Sequence, residues 1–225
     1  MTRIKICGIT NAGDARAAVD AGANALGFIR VPGGPRFVPE AMLVRVAYSA
    51  LPPFVTPVFV VRSAREAEDY PPGGLIQFYE GDQVEPICAA PDPQVVLPPA
   101  LAGRGIRAFR IRDADSLREI ENYPHKPLVA AYLLDTFHDT QLGGGGQTFD
   151  WDLAVEAKRL AGDVPVILAG GLTPENVAEA VTRVRPFAVD VSSGVEAEPG
   201  RKDHDKIRAF VQAVRAADAT ETTTP

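Results

Sequence analysis

Pro165-Val166-Ile167-Leu168-Ala169-Gly170-Gly171-Leu172-Thr173-Pro174-Glu175-Asn176-Val177 spells one complete strand–turn–helix unit. The run Val166 to Ala169 is apolar at every position, as suits a parallel strand covered on both faces. Two glycines then turn the chain. Thr173 offers a hydroxyl cap, and Pro174 fits the first helical position. Val177, Ala180, Val181 and Val184 follow at i, i+3, i+4 and i+7, so the helix turns one apolar stripe toward the strand.

Outward from this unit the pattern repeats. Strand-like runs occur at Arg3–Cys7, Ala25–Arg30, Thr56–Val61, Leu75–Tyr79, Ile106–Ile111, Val129–Asp135, Pro165–Ala169 and Phe187–Val191, eight in all. After the first, Asn11 is placed to cap a short helix with Ala12, Ala15, Ala18 and Val19 inward and Gly22 at its end. Ile207, Phe210, Val211 and Val214 repeat the helical spacing behind an Asp203 cap. Between Gly81 and Arg104, prolines at 86, 91, 93, 98 and 99 break any long helix, so this stretch reads as irregular with one short helix. Eight βα units predict an α/β fold, a single-domain (β/α)8 TIM barrel over residues 1–217, with a disordered tail at 218–225. A doubly wound open sheet is the rival. It usually carries a glycine-rich turn after its first strand, and Cys7-Gly8-Ile9-Thr10 is not that fingerprint.

Composition narrows the partners. With 23 Lys+Arg against 29 Asp+Glu the chain carries a net charge of -6, which argues against nucleic acid or an anionic membrane surface. No N-terminal apolar stretch has signal-peptide or membrane-spanning length. Two cysteines, Cys7 and Cys88, give no disulfide framework, and a cytoplasmic location is expected. The histidines at 125, 138 and 204 stand too far apart for a zinc site, so no metal is expected.

Barrels place their chemistry at the C-terminal ends of the strands. The polar residues there are Cys7, Arg30 with Arg36 in the next loop, Tyr79-Glu80, Asp135, and Asp190 followed by Ser192-Ser193. Glycines crowd the last three turns, at Gly143 to Gly146, Gly170-Gly171 and Gly194. Such turns let a backbone approach an anion, so a phosphate fits between the loops after strands seven and eight; the same glycines also suit plain tight turns. Alternation sends Lys5 to the side of Cys7, where an ammonium would favour the thiolate and depress a pKa that starts near ~8.5. An isolated cysteine in an apolar strand also reads as a small buried hydrophobe, which is the reading given to Cys88. Asp135 ends an apolar run whose walls would raise its pKa from about 3.9 and let it donate a proton; a turn or cap aspartate is the alternative. Arg36 has the planar fork that suits a carboxylate, and His138 reads as a solvent-facing loop residue.

Taken in order, Lys5-Ile6-Cys7-Gly8-Ile9-Thr10, Ala25-Leu26-Gly27-Phe28-Ile29, Pro35-Arg36-Phe37-Val38, Leu133-Leu134-Asp135, Phe149-Asp150-Trp151, Leu168-Ala169-Gly170-Gly171-Leu172 and Asp190-Val191-Ser192-Ser193-Gly194-Val195-Glu196 resemble the phosphoribosylanthranilate isomerases of tryptophan biosynthesis. The resemblance spans nearly the whole chain. It implies a (β/α)8 barrel and a cofactor-free Amadori rearrangement of a phosphorylated small molecule. By the same resemblance Cys7 is the general base, Asp135 the general acid, and Arg36 the contact for the anthranilate carboxylate. Arg36, Asp190 and Gln77 are then the expected substrate contacts, and Gly144, Gly170, Gly171, Ser193 and Gly194 the expected phosphate contacts. The chain departs from the family where Q-L-H-G becomes Gln77-Phe78-Tyr79-Glu80-Gly81, where G-G-T-G-K becomes Gly143-Gly144-Gly145-Gly146-Gln147, and where Gly34 replaces a serine. The alternatives are another phosphosugar barrel isomerase, which would need paired aspartates or several lysines and glutamates at its strand ends, and a non-catalytic barrel that binds a phosphometabolite. A monomer or homodimer is expected.

Overall fold

The computed structural model describes residues 1–43, 46, 51–70, 73–79, 98–124, 126–136 and 148–221. Eight parallel strands close on themselves in chain order: β1 (Arg3–Cys7), β2 (Ala25–Ile29), β3 (Thr56–Val61), β4 (Leu75–Phe78), β5 (Gly105–Ile111), β6 (Val129–Thr136), β7 (Val166–Leu168) and β8 (Ala188–Val191). Each expected strand is present, with ends within a residue or so. Closure comes from β1 pairing with β8, where Lys5 is the register partner of Asp190.

Strand alternation divides the apolar side chains into two cores. One lies inside the barrel and is built from Val58, Ile106, Ala108, Ala131, Leu133, Ile167, Ala169 and Ala188. The other lies between strands and helices and takes the bulk: Phe28, Phe59, Phe78, Phe109, Tyr132 and Phe210 are all essentially inaccessible there. An eight-stranded barrel has an interior only wide enough for side chains. Four alanines in that interior leave space toward the C-terminal mouth, and Lys5, Cys7, Gln77, Asp135 and Asp190 occupy it.

The covering helices are α1 (Ala12–Ala21), α2 (Glu40–Leu43), α3 (Leu117–Glu121), α4 (Trp151–Ala161), α5 (Val177–Val184) and α6 (His204–Glu221). The stripes Val177/Ala180/Val181/Val184 and Ile207/Phe210/Val211/Val214 are buried as their spacing predicts. Asn11 caps α1 by accepting from the Asp14 amide, and Gly22 ends it in the left-handed region. Among the described residues β3 is followed by a 3-10 turn, Ala64–Asp69, in place of an α-helix, and Pro99–Leu101 forms another before β5.

Four expectations need correction. Ala12 is exposed, and Asp14 is buried in its stead because it accepts from the Lys202 amide and the Asn11 side chain and contacts His204. Helix α5 starts three residues beyond Pro174, because Asn176 accepts from the Thr173 amide and holds the turn open before the helix begins. A two-strand hairpin, β9 (Glu196–Glu198) with β10 (Arg201–Lys202), separates β8 from α6. The expected tail at 218–225 begins too early, since α6 continues to Glu221 and Asp218 accepts from the Thr2 amide and hydroxyl at the start of β1.

Candidate active site

At the bottom of the mouth, Lys5 is 3% exposed and donates to Asp190 Oδ2 at 2.7 Å and Gln77 Oε1 at 2.9 Å. Burial works against its charge, but Asp190 and Cys7 outweigh burial and raise its pKa, so it stays an ammonium. The second oxygen of Asp190 is buried with no hydrogen-bond partner among the described residues. An unsatisfied buried acceptor on a cavity wall is a place for a donor from outside.

One pleat higher on the same strand, Cys7 faces Gly27 across the β1–β2 pair. A Cβ at residue 27 would lie 2.6 Å from the Cys7 sulfur, so the thiol's position depends on that glycine. The expected depression of the Cys7 pKa does not hold. Burial pushes the thiol up, Asp190 adds to that, and the Lys5 ammonium opposes both without prevailing.

Across the mouth Asp135 closes β6. Its Oδ1 accepts from the Thr136 amide at 2.9 Å and its Oδ2 from the Tyr79 hydroxyl at 3.3 Å. Tyr79 in turn accepts from Gln77 Nε2 at 3.3 Å. Burial, reinforced by Asp135, Cys7 and Asp190, pushes the phenol well above its ordinary range, so it is a donor and not a phenolate.

Arg36 enters from the loop after β2. Its Nε and Nη2 atoms grip Glu196 at 2.8 and 2.7 Å. Glu196 also accepts from Lys202 Nζ at 2.9 Å, and that ammonium donates to the Ser192 carbonyl at 3.0 Å. Burial alone would raise the Glu196 pKa, yet Arg36 and Lys202 together hold it below the ordinary carboxylate value. Two cations share one anion here. The cluster keeps a surplus positive charge, and the Nη1–Nη2 edge of Arg36 is left for a second carboxylate.

The loops after β7 and β8 meet backbone to backbone. A Cβ at Gly194 would lie 1.9 Å from the Leu172 carbonyl oxygen, and one at Gly170, whose φ is +84°, would lie 2.2 Å from Thr136 Oγ1. Both glycines are therefore required by packing, and both also line the cavity. Asn176 secures the turn, donating to the Gly171 carbonyl at 3.0 Å.

These residues surround one cavity of about 690 Å³ at the C-terminal mouth, with Cys7, Arg36, Gln77, Asp135, Gly170, Gly171, Asp190, Ser193 and Gly194 all in its wall. Gly144, Glu80, Cys88, His125 and His138 lie outside the described residues. Glu196, Lys202 and the Tyr79–Asp135 contact escape a sequence reading. Glu196 and Lys202 sit in a hairpin with no strand-end signal, and only the fold brings Tyr79 and Asp135 together. Among the described residues no three His, Cys, Asp or Glu side chains are grouped to hold a metal.

Residues 103–213 match the family model described as N-(5'phosphoribosyl)anthranilate (PRA) isomerase. A relative of that name from Geobacter metallireducens is 44% identical over 221 residues, covering 96% of this chain and 100% of its own. The phosphoribosyl anthranilate isomerase of Thermotoga maritima superposes with a TM-score of 0.79 at 36% identity, covering 96% of this chain and 100% of that one. A further solved phosphoribosyl anthranilate isomerase, in complex with reduced 1-(o-carboxyphenylamino)-1-deoxyribulose 5-phosphate, superposes at 0.75 with 34% identity and the same coverage.

Proposed function

The chain belongs to the N-(5'-phosphoribosyl)anthranilate isomerase family, and we propose that it works with Cys7 as base and Asp135 as acid on two sides of one cavity. It is an aldose–ketose isomerase that turns N-(5-phosphoribosyl)anthranilate into 1-(2-carboxyphenylamino)-1-deoxyribulose 5-phosphate. Asp135 gives its proton to the furanose ring oxygen. The C1′–O bond breaks onto that oxygen while the nitrogen lone pair forms C1′=N. Cys7 then takes the proton from C2′ in its thiolate form, which its raised pKa makes the minor one and the neighbouring Lys5 ammonium favours, and the released pair forms C1′=C2′ as the C=N pair returns to nitrogen. The C2′ hydroxyl then loses a proton, which replaces the one Asp135 gave, and C1′ gains a proton, which discharges the one Cys7 took, so the aminoketose is complete and both groups are restored. Protons move between the substrate and these two side chains and electron pairs move within the substrate, so the chemistry draws on no cofactor.

The rest of the cavity supports this assignment. Arg36, oriented by Glu196, has an open edge for the anthranilate carboxylate. The unsatisfied oxygen of Asp190 suits a ribose hydroxyl, and Gln77 stands beside it. Amides around Gly170, Gly171, Ser193 and Gly194 suit the 5′-phosphate, and Gly144 belongs to the same proposed set. A thiolate base needs a reduced thiol, which favours the cytoplasm. No helix among the described residues is long and apolar enough to cross a membrane. We read the chain as a monomer or homodimer. Self-association at the face opposite the cavity would cover Phe54, a fully exposed ring held at φ +75°.

The observation that carries the reading is that the thiol and the carboxyl open into the same hollow. Cys7→Ala is expected to lower kcat by ~10²–10⁴-fold with the fold retained, and Asp135→Asn to do comparable damage, since a positioned acid or base contributes that much. Loss of substrate fluorescence with time reads the rate, and rescue of a tryptophan auxotroph lacking the isomerase reads the function. Near-parental turnover in Cys7→Ala would overturn the base assignment.

A further inference from the structure

We propose that Tyr79 is a positioning residue for the acid: its hydroxyl holds Asp135 and stabilises the carboxylate left after proton transfer to the ring oxygen. The proposal rests on the acid role assigned to Asp135 above. Its support begins at Lys5. An ammonium only donates, so the oxygen of the Gln77 amide must face Lys5 Nζ at 2.9 Å, and the Gln77 NH₂ must face Tyr79 at 3.3 Å. Tyr79 therefore accepts from Gln77, and its single proton is left for Asp135 Oδ2 at 3.3 Å. The buried Lys5–Asp190 ion pair thus fixes, through Gln77, the direction in which a phenol on the far side of the barrel points.

This arrangement favours the product side of the acid's proton transfer. Before transfer Asp135 is a neutral acid that gains little from a donor. Afterwards it is an anion that accepts from the Tyr79 hydroxyl and the Thr136 amide among the described residues, and hydrogen bonds to charged acceptors are the stronger ones. Among the described residues the charged and titratable groups that act on Tyr79 are Asp135 from β6, Cys7 from β1, Asp190 from β8 and Arg110 from β5. The Arg110 guanidinium lies 5.3 Å from the Tyr79 ring centroid, and it holds the ring in place without taking the hydroxyl.

The test is steady-state kinetics against pH on the full chain, with Tyr79→Phe, Tyr79→His and Asp135→Asn compared and folding checked by circular dichroism. Tyr79→Phe is expected to lower kcat about 10- to 100-fold with KM within about twofold, the range for losing a hydrogen bond to a charged group. Without its donor the carboxylate keeps its proton to higher pH. One limb of the kcat/KM profile should therefore move up by about one unit while the other stays. Tyr79→His, which restores a donor, should recover most of the loss. Parent-like kcat and limbs in Tyr79→Phe, a change confined to KM, or a histidine variant no better than phenylalanine overturns the proposal. If Asp135→Asn abolishes turnover while Tyr79→Phe is parent-like, this proposal alone fails. If Asp135→Asn itself is parent-like, the acid assignment fails and takes this proposal with it.

Discussion

Single atoms set the chemistry of this barrel. Gly27 is the sharpest instance, because the space that its missing Cβ would fill is where the Cys7 sulfur sits. Gly27→Ala keeps an ordinary strand residue and costs about 1–3 kcal/mol in overpacking. With Cys7 as the proposed base it should lower kcat by ~10²-fold, since displacing a reacting group by about 1 Å costs that much. Activity and urea midpoint measured on the same preparation separate the two effects; a stability loss with unchanged kcat would show that the thiol does not need its present position. Lys5 and Cys7 illustrate where sequence reading stops at this scale. Alternation places the ammonium on the thiol's side, but the balance between that charge and desolvation depends on how deeply both are buried, and burial prevails.

At the scale of elements, the strands and the apolar helix stripes were legible because one period, two or 3.6, governs each of them. The hairpin β9–β10 was not. Three residues and two residues carry too little periodicity to read, and the hairpin's role emerges only from contacts with distant segments: Glu196 with Arg36, Lys202 with both Glu196 and Ser192. The site followed the same division. Strand-end residues Cys7, Asp135 and Asp190 could be found from position, and so could Lys5, whereas the contacts of Tyr79 with Asp135 and of Glu196 with Arg36 could not. Glu196→Ala strands the fully buried Lys202 ammonium and should cost about 3 kcal/mol, read as a lower urea midpoint. The pH sign follows from the lowered Glu196 pKa in the fold. Its stabilisation is complete above the unfolded glutamate value of about 4.3 and fades as pH falls through the folded value, because the unfolded chain takes up the proton first. Glu196→Gln should therefore flatten the acid limb of the stability–pH curve. An unaltered limb would place the acid sensitivity elsewhere.

For the molecule as a whole, closure joins the first strand to the last, and Thr2 to the final described helix. The β1–β8 pairing is reinforced by Asp218, which holds the Thr2 amide at 3.0 Å and its hydroxyl at 2.7 Å, and by Arg215, which donates to the Thr2 carbonyl at 2.6 Å. Asp218→Ala removes two of these bonds, worth about 1–2 kcal/mol together, and should lower Tm by roughly 2–6 °C in calorimetry. Turnover should be untouched, because Thr2 precedes the strand whose other end carries Cys7; a fall in kcat at unchanged KM would mean that the far rim reaches the reacting sugar. The Thr2–Asp218 clasp also makes the polypeptide almost a ring. A short bridge across it would seal the loop and allow the backbone to be reopened between other units. A cargo tethered at either residue would hang beneath the barrel, clear of the doorway through which the sugar arrives.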